Sequence, residues 1–249
     1  MCYRKNYKIR IDKIIIILLS SLIILTFFAW FHTMTGVKYF FQHPYGIVSR
    51  ADILIDVYKS WHSNYVSVAM IMFISLYFNK TDFKYYNIIA YGSKLKVWFI
   101  QIKRIYLYSL CSAVYFWLVV LVLSNKYILI SINWNKTDSH FFKITGSLME
   151  MKYVYVALAI LAVLIFLNIV MATLYILLSW IFTNQIFVWI MEFMIVFFFN
   201  KIIKWSPLSQ IYYKNWIEGK IIISFLIVVM LLVLLQLVGR FIVRHKEFY

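Results

Sequence analysis

Long apolar runs alternate along the chain with shorter intervals that are polar, basic or rich in aromatics. The apolar runs cover 14–31, 65–78, 105–123, 153–182, 186–203 and 221–243. A spanning helix needs about 20 mostly apolar residues, and several of these runs approach or exceed that. Spanning strands would instead give alternating segments of about 10 residues, which are absent. The pattern predicts an all-α integral membrane protein with six transmembrane helices in one domain over residues 1–249. Runs 153–182 and 186–203 together far exceed one crossing at about 1.5 Å per residue, so a tight turn is expected at Thr183, Asn184 and Gln185. Run 65–78 is short. It is expected to begin near Trp61 or to sit where the protein thins the bilayer.

The intervals are mixed in character. Residues 34–64 carry Pro44, Gly46, Arg50, Asp52, Asp56 and Trp61. Within them Ile53, Leu54, Val57 and Tyr58 fall at helical spacing, which predicts a short helix over 50–60 lying on the outer surface. Residues 125–152 hold Trp134, Asp138, His140 and Glu150, and residues 204–220 hold Pro207. Residues 1–13 carry Arg4, Lys5, Lys8, Arg10 and Lys13 among Tyr3, Tyr7, Ile9 and Ile11. That mixture fits an interfacial segment or a basic anchor. It does not fit a signal peptide, because the next apolar run is too long and no small-residue cleavage site closes it.

The stretch 79–109, NKTDFKYYNIIAYGSKLKVWFIQIKRIYLYS, stands out. It sets Lys80, Lys84, Lys94, Lys96, Lys103 and Arg104 against one acid, Asp82. Thr81 or Asp82 can cap a short helix ending at Gly92, and Ser93 can cap a second helix running into apolar sequence. This elbow reads either as a contact point for a cytoplasmic partner or as an ordinary positive-inside loop. Six spans put both termini on one side. The two densest basic clusters flank the starts of spans one and three, which predicts an N-in, C-in protein with the elbow in the cytoplasm.

Composition sharpens the picture in a few places. The chain is 64% apolar, against about 45–50% in soluble domains. The net charge of +16 and pI of about 9.7 come from Lys and Arg beside apolar runs. There they meet lipid headgroups and set topology, and nucleic acid is not an expected partner. Cys2 and Cys111 are far apart and form no metal or disulfide pattern. Cys111 sits in an apolar run as a small packing residue. The glycines never cluster and no Gly-Lys-Ser/Thr occurs, so this chain does not hydrolyse ATP by a P-loop mechanism. His-Glu-x-x-His and Gly-x-Ser-x-Gly are also missing. The five histidines fall at span ends or in loops. Neither an enzyme, a cofactor nor a metal site is expected in this chain.

Glu192 is the sole acid predicted inside a span. A carboxylate there costs about 2.5–3.5 kcal/mol on insertion scales. It reads as a proton or cation site, or as a polar point on a translocation path. It reads equally as a carboxyl two turns from the cytoplasmic face, solvated or bonded to Asn184 or Gln185. Asn168 and Gln236 are milder cases, each expected to make an interhelical hydrogen bond. The nine tryptophans mostly lie near predicted span ends and read as interfacial belts.

The segment Ile88-Ile89-Ala90-Tyr91-Gly92-Ser93-Lys94-Leu95-Lys96, followed by a basic and then apolar helix, resembles the first cytoplasmic loop of ABC-transporter permeases of the type-two exporter class. It looks most like the small permease subunits for peptides or bacteriocins in Gram-positive bacteria. Six spans in a chain of this length fit the same class. The resemblance implies a multi-pass bacterial plasma-membrane protein that works with a cytoplasmic ABC ATPase subunit, which carries the ATP. It implies a second permease, identical or homologous, and a cargo such as an amphipathic or antimicrobial peptide. It also implies that Tyr86, Ile88, Ile89, Tyr91, Gly92, Ser93, Lys94 and Lys96 form the coupling helix, with Tyr85 on its docking face. The family's outer hairpin between spans five and six would correspond to 204–219, which is short here and holds Pro207. The alternative is a non-transporting immunity or scaffold protein that binds a partner through its outer loops.

Overall fold

The computed structural model describes residues 2–42, 46–59, 92–182, 184–199 and 211–246, excepting the side chains of 2–18, Lys59 and Ser224. Among these residues the regular structure is helical. The elements are α1 (Cys2–Gln42), α2 (Arg50–Lys59), α3 (Lys94–Tyr127), α4 (His140–Thr145), α5 (Tyr153–Ile181), α6 (Gln185–Phe197), α7 (Tyr213–Ile217) and α8 (Lys220–His245). Four helices are long and apolar enough to cross a membrane: α3, α5, α8 and the part of α1 from Leu19 to Gln42. Helix α6 has 13 residues and falls short of a crossing by itself. Predicted span 65–78 and the last residues of predicted span 186–203 lie outside the described residues.

Helix α5 is the central element and packs against α2, α3, α6 and α8. Val156, Ala157, Ile160, Val163, Leu164 and Leu167 recur every three or four residues along its buried side. Helix α8 is the opposite case, with nearly all of its apolar span turned outward. Helix α5 ends at Ile181 and the Asn184 side chain caps α6; Thr183 of the predicted turn lies outside the described residues.

Two boundaries differ from the sequence expectation. Helix α1 runs unbroken for 41 residues. It absorbs both the basic N-terminal segment and 34–42, which the sequence pattern assigns to a loop. Thr35 stays helical by donating its hydroxyl to the Phe31 carbonyl at 2.8 Å, and Val37 and Phe40 are buried. The second difference is α2. It forms where predicted but does not lie on a surface, because Ala51, Ile53, Leu54, Ile55 and Tyr58 are 0% exposed. It packs among α1, α3 and α5, and residues 128–131 bond its first turn. Arg50 N–H donates to Ile130 O at 2.9 Å and Ala51 N–H to Ser131 O at 3.2 Å. The Arg50 guanidinium donates to Ile128 O at 2.6 Å. Gly46 makes the approach possible: its φ is +100°, and a Cβ there would lie 2.7 Å from Asp138 O.

Asp52 lies at the centre of this arrangement, fully buried. Its Oδ2 accepts from Ser49 N–H and Ser49 Oγ, both at 2.7 Å. Its Oδ1 accepts from Trp134 Nε1 at 3.0 Å. Burial pushes the Asp52 carboxyl above its usual value, while the Ser49 and Trp134 hydrogen bonds and nearby His140 pull it down. The Trp134 ring stacks on Phe141 at 4.4 Å and meets Trp216 edge-on at 5.7 Å and Tyr213 at 6.3 Å. Described parts of the intervals 34–64, 125–152 and 204–220 therefore join in one aromatic core at a single end of the bundle.

Asp52→Asn keeps the shape but faces an amide NH₂ toward a donor on one side. Leaving a buried donor unmatched costs about 1–3 kcal/mol. Asp52→Asn and Trp134→Phe should each lower the melting temperature in detergent. The double variant should lose less than the sum, because both remove one bond. Fully additive losses would show that the two side chains act independently.

Candidate functional site

The opposite end of the bundle holds Gly92 to Lys96, the described part of the predicted elbow. Gly92 has φ +80°, and a Cβ added there would meet nothing within 4 Å. Ser93 is extended, and its hydroxyl accepts from Lys96 N–H at 3.2 Å, so α3 begins at Lys94. These are the residues predicted to end one helix and cap the next. Tyr85, Tyr86, Ile88, Ile89 and Tyr91 lie outside the described residues.

From its first turn α3 is tied to the far ends of α5 and α8. The Lys94 ammonium donates to the Lys246 carbonyl, and the Lys246 ammonium donates to the Trp180 carbonyl. Each lysine thereby satisfies a carbonyl at a helix C-terminus, where positive charge is favoured. Burial lowers the pKa of the Lys246 amine. Trp180 is fully buried and donates Nε1–H to Gln101 Oε1 at 2.8 Å. Trp98 meets it edge-on at 6.5 Å. The six-membered ring of Trp98 lies against Gly239 of α8, where a Cβ would fall 2.3 Å from the ring.

These contacts correct the interfacial-belt expectation for Trp98, Trp134, Trp180 and Trp216, all of which are buried. Three of them have indole donors satisfied inside the protein, Trp216 by the Ile211 carbonyl at 2.8 Å. Trp30 is 46% exposed, midway along the Leu19–Gln42 span. Sequence reasoning missed the indole pair and the Lys246 clasp. Gly239 was the available signal, since a glycine within an apolar helix costs about 1 kcal/mol against alanine and usually has a packing reason.

The predicted intramembrane polar positions behave differently from one another. Gln236 of α8 donates to the Tyr106 hydroxyl of α3. Tyr106 Oη lies 2.7 Å from Thr173 Oγ1 of α5, and Thr173 donates to Ile169 O at 2.8 Å. The donors therefore run in order from Gln236 through Tyr106 to Thr173, joining three helices. Asn168 is buried, and its Oδ1 has no hydrogen-bond partner among the described residues. The interhelical bond expected there is not formed by that oxygen.

Glu192 departs furthest from expectation. With Val188 and Val196 it forms the inward stripe of α6, and it is 0% exposed. Neither carboxyl oxygen has a hydrogen-bond partner among the described residues. Asn184 is occupied by Ile186 N–H at 2.9 Å and Phe187 N–H at 3.4 Å. Gln185 accepts from the Tyr175 hydroxyl. Glu192 is thus not exposed, and no bond from Asn184 or Gln185 reaches it among the described residues. No described hydrogen bond links Glu192, Asn168 and Gln236 into one site.

Comparison with protein-family models, curated proteins and solved structures finds no match to this chain. Among the described residues no three His, Cys, Asp or Glu side chains gather. A left-handed Gly92 and an extended Ser93 lead into a 34-residue helix whose first two turns contact two other helices.

A buried carboxyl with no partner among the described residues is a cost to the fold. Glu192→Leu should raise the apparent melting temperature in detergent, by the equivalent of about 1–3 kcal/mol. A lower melting temperature would mean that the carboxyl is held by a stabilising partner.

Proposed function

We propose that this chain is the membrane-spanning permease subunit of an ATP-driven exporter. ATP is bound and hydrolysed on a separate cytoplasmic ATPase chain. In this reading six spans run N-in, C-in, with 65–78 as span two and 186–203 as span five. The elbow over 82–96 is the lever that the ATPase moves. Tyr85, Ile88 and Ile89 share its docking face, with Tyr91 at the edge. The observation that most supports the reading is the hinge at Gly92 and Ser93 followed by the Lys94, Trp98 and Gln101 attachments to α5 and α8. A displacement of the elbow would reach three helices through those contacts.

Two copies, or one copy and a homologous permease, complete the path. The cargo class is an amphipathic or antimicrobial peptide, or a lipid-like compound. The second reading is a non-transporting immunity or scaffold protein, favoured by one observation. A cavity of about 500 Å³ opens beside the aromatic core and is lined by Trp134, Asn135, Met149, Glu150, Lys152 and Tyr155.

The lever reading is tested at Gly92. A β-branched residue there meets no steric clash, since nothing lies within 4 Å, but the left-handed backbone costs roughly 1–2 kcal/mol. Gly92→Val should leave the protein inserted and expressed but abolish cargo-stimulated ATP hydrolysis. Gly92→Asn, which tolerates the same backbone, should retain it. Equal stimulation in all three proteins would remove the elbow from the mechanism.

A further inference from the structure

The exposed acids of the described residues lie at one end, whereas exposed cations occur at both. Asp138, Glu150 and Glu218 are exposed at the end with the aromatic core, where Glu218 pairs with Lys220. The elbow end exposes Lys96, Lys103, Arg240 and Arg244 and, among the described residues, no exposed acid. Three of these cations converge on one seam. The Arg240 guanidinium of α8 sits 5.2 Å from the centroid of the Phe99 ring of α3. Lys96 and Lys103 lie three residues before and four residues after Phe99, so they flank it on the same face of α3. Like charges gathered this way repel unless an anion sits among them.

The seam also has an apolar continuation. Leu107 on α3 is 66% exposed, and Leu237 and Phe241 on α8 are 56% and 65% exposed. At about 1.5 Å per residue, Arg240 stands roughly 9 Å in from Lys246, and Lys103 roughly 13 Å in from Lys94. Long basic side chains at that depth extend back toward the headgroups. The cations thus lie on the flanks of two outward-facing helices, with a greasy track leading away from them.

We propose that the Lys96, Lys103 and Arg240 seam between α3 and α8 binds the phosphate headgroup of an anionic phospholipid. Its acyl chains follow Leu107, Leu237 and Phe241. A free phosphate would use the cations alone and gain nothing from the track. A protein partner would meet the tip of the helices, not their sides.

The test uses the full chain purified in mild detergent. Bound lipid is measured by native mass spectrometry after incubation with phosphatidylglycerol or phosphatidylcholine. The wild type should retain phosphatidylglycerol preferentially. The double variant Lys103→Gln, Arg240→Gln should lose that preference by roughly thirtyfold, the order expected when two basic side chains leave an anionic surface. The charge-keeping variant Lys103→Arg, Arg240→Lys should restore it. Lys126→Gln with Lys136→Gln, at the other end, should leave it unchanged. Unaltered preference in the Gln double variant overturns the proposal. So does displacement of the lipid by millimolar inorganic phosphate, which would assign the seam to a free anion. Loss of a co-isolating protein with lipid preference intact would assign it to a protein interface and also overturn it.

Discussion

The fold depends on a buried carboxylate. Asp52 is enclosed by apolar and aromatic side chains, where an unpaired charge would be very costly. It is accommodated because the Ser49 amide, the Ser49 hydroxyl and the Trp134 indole all donate to it. Those bonds place Trp134, and Trp134 in turn organises Phe141, Tyr213 and Trp216 around itself. Described residues of three separate connections between helices are thereby held together. Gly46 and the 128–131 backbone close the same unit over α2.

The other end is held differently. Two lysines cap helix-end carbonyls, and two indoles pack across α3, α5 and α8. Between the ends, the Gln236–Tyr106–Thr173 chain joins the same three helices. A bundle fixed at one end and gripped at the other by a helix that starts at a hinge has the parts of a lever. That arrangement supports the permease reading without requiring any chemistry in this chain.

Much of the helical layout was legible from local rules. Ser93, Asn184 and Gly92 act where capping preferences put them, because a cap is decided by a few neighbouring residues. The helix over 50–59 was legible from its spacing, but its burial was not. Two acids, Asp52 and Asp56, made it look solvated, and one of the three donors to Asp52 is a tryptophan more than eighty positions away. The same reasoning explains the tryptophans. An indole near a span end serves equally at a lipid interface or in a packed interior, and the choice rests on long-range partners such as Gln101 and Gly239. At Glu192 the sequence offered Asn184 and Gln185 as nearby partners. The structure commits both to α6 capping and to Tyr175, which no local pattern reveals.

The central claim is that this chain is moved by an ATPase it does not itself contain. Affinity isolation of the full-length chain from native membranes, followed by identification of its stoichiometric companions, addresses it most directly. The expected companion is a cytoplasmic subunit with a phosphate-binding loop, whose ATP hydrolysis copurifies with the chain. An intact chain that isolates without any ATP-hydrolysing subunit contradicts the claim.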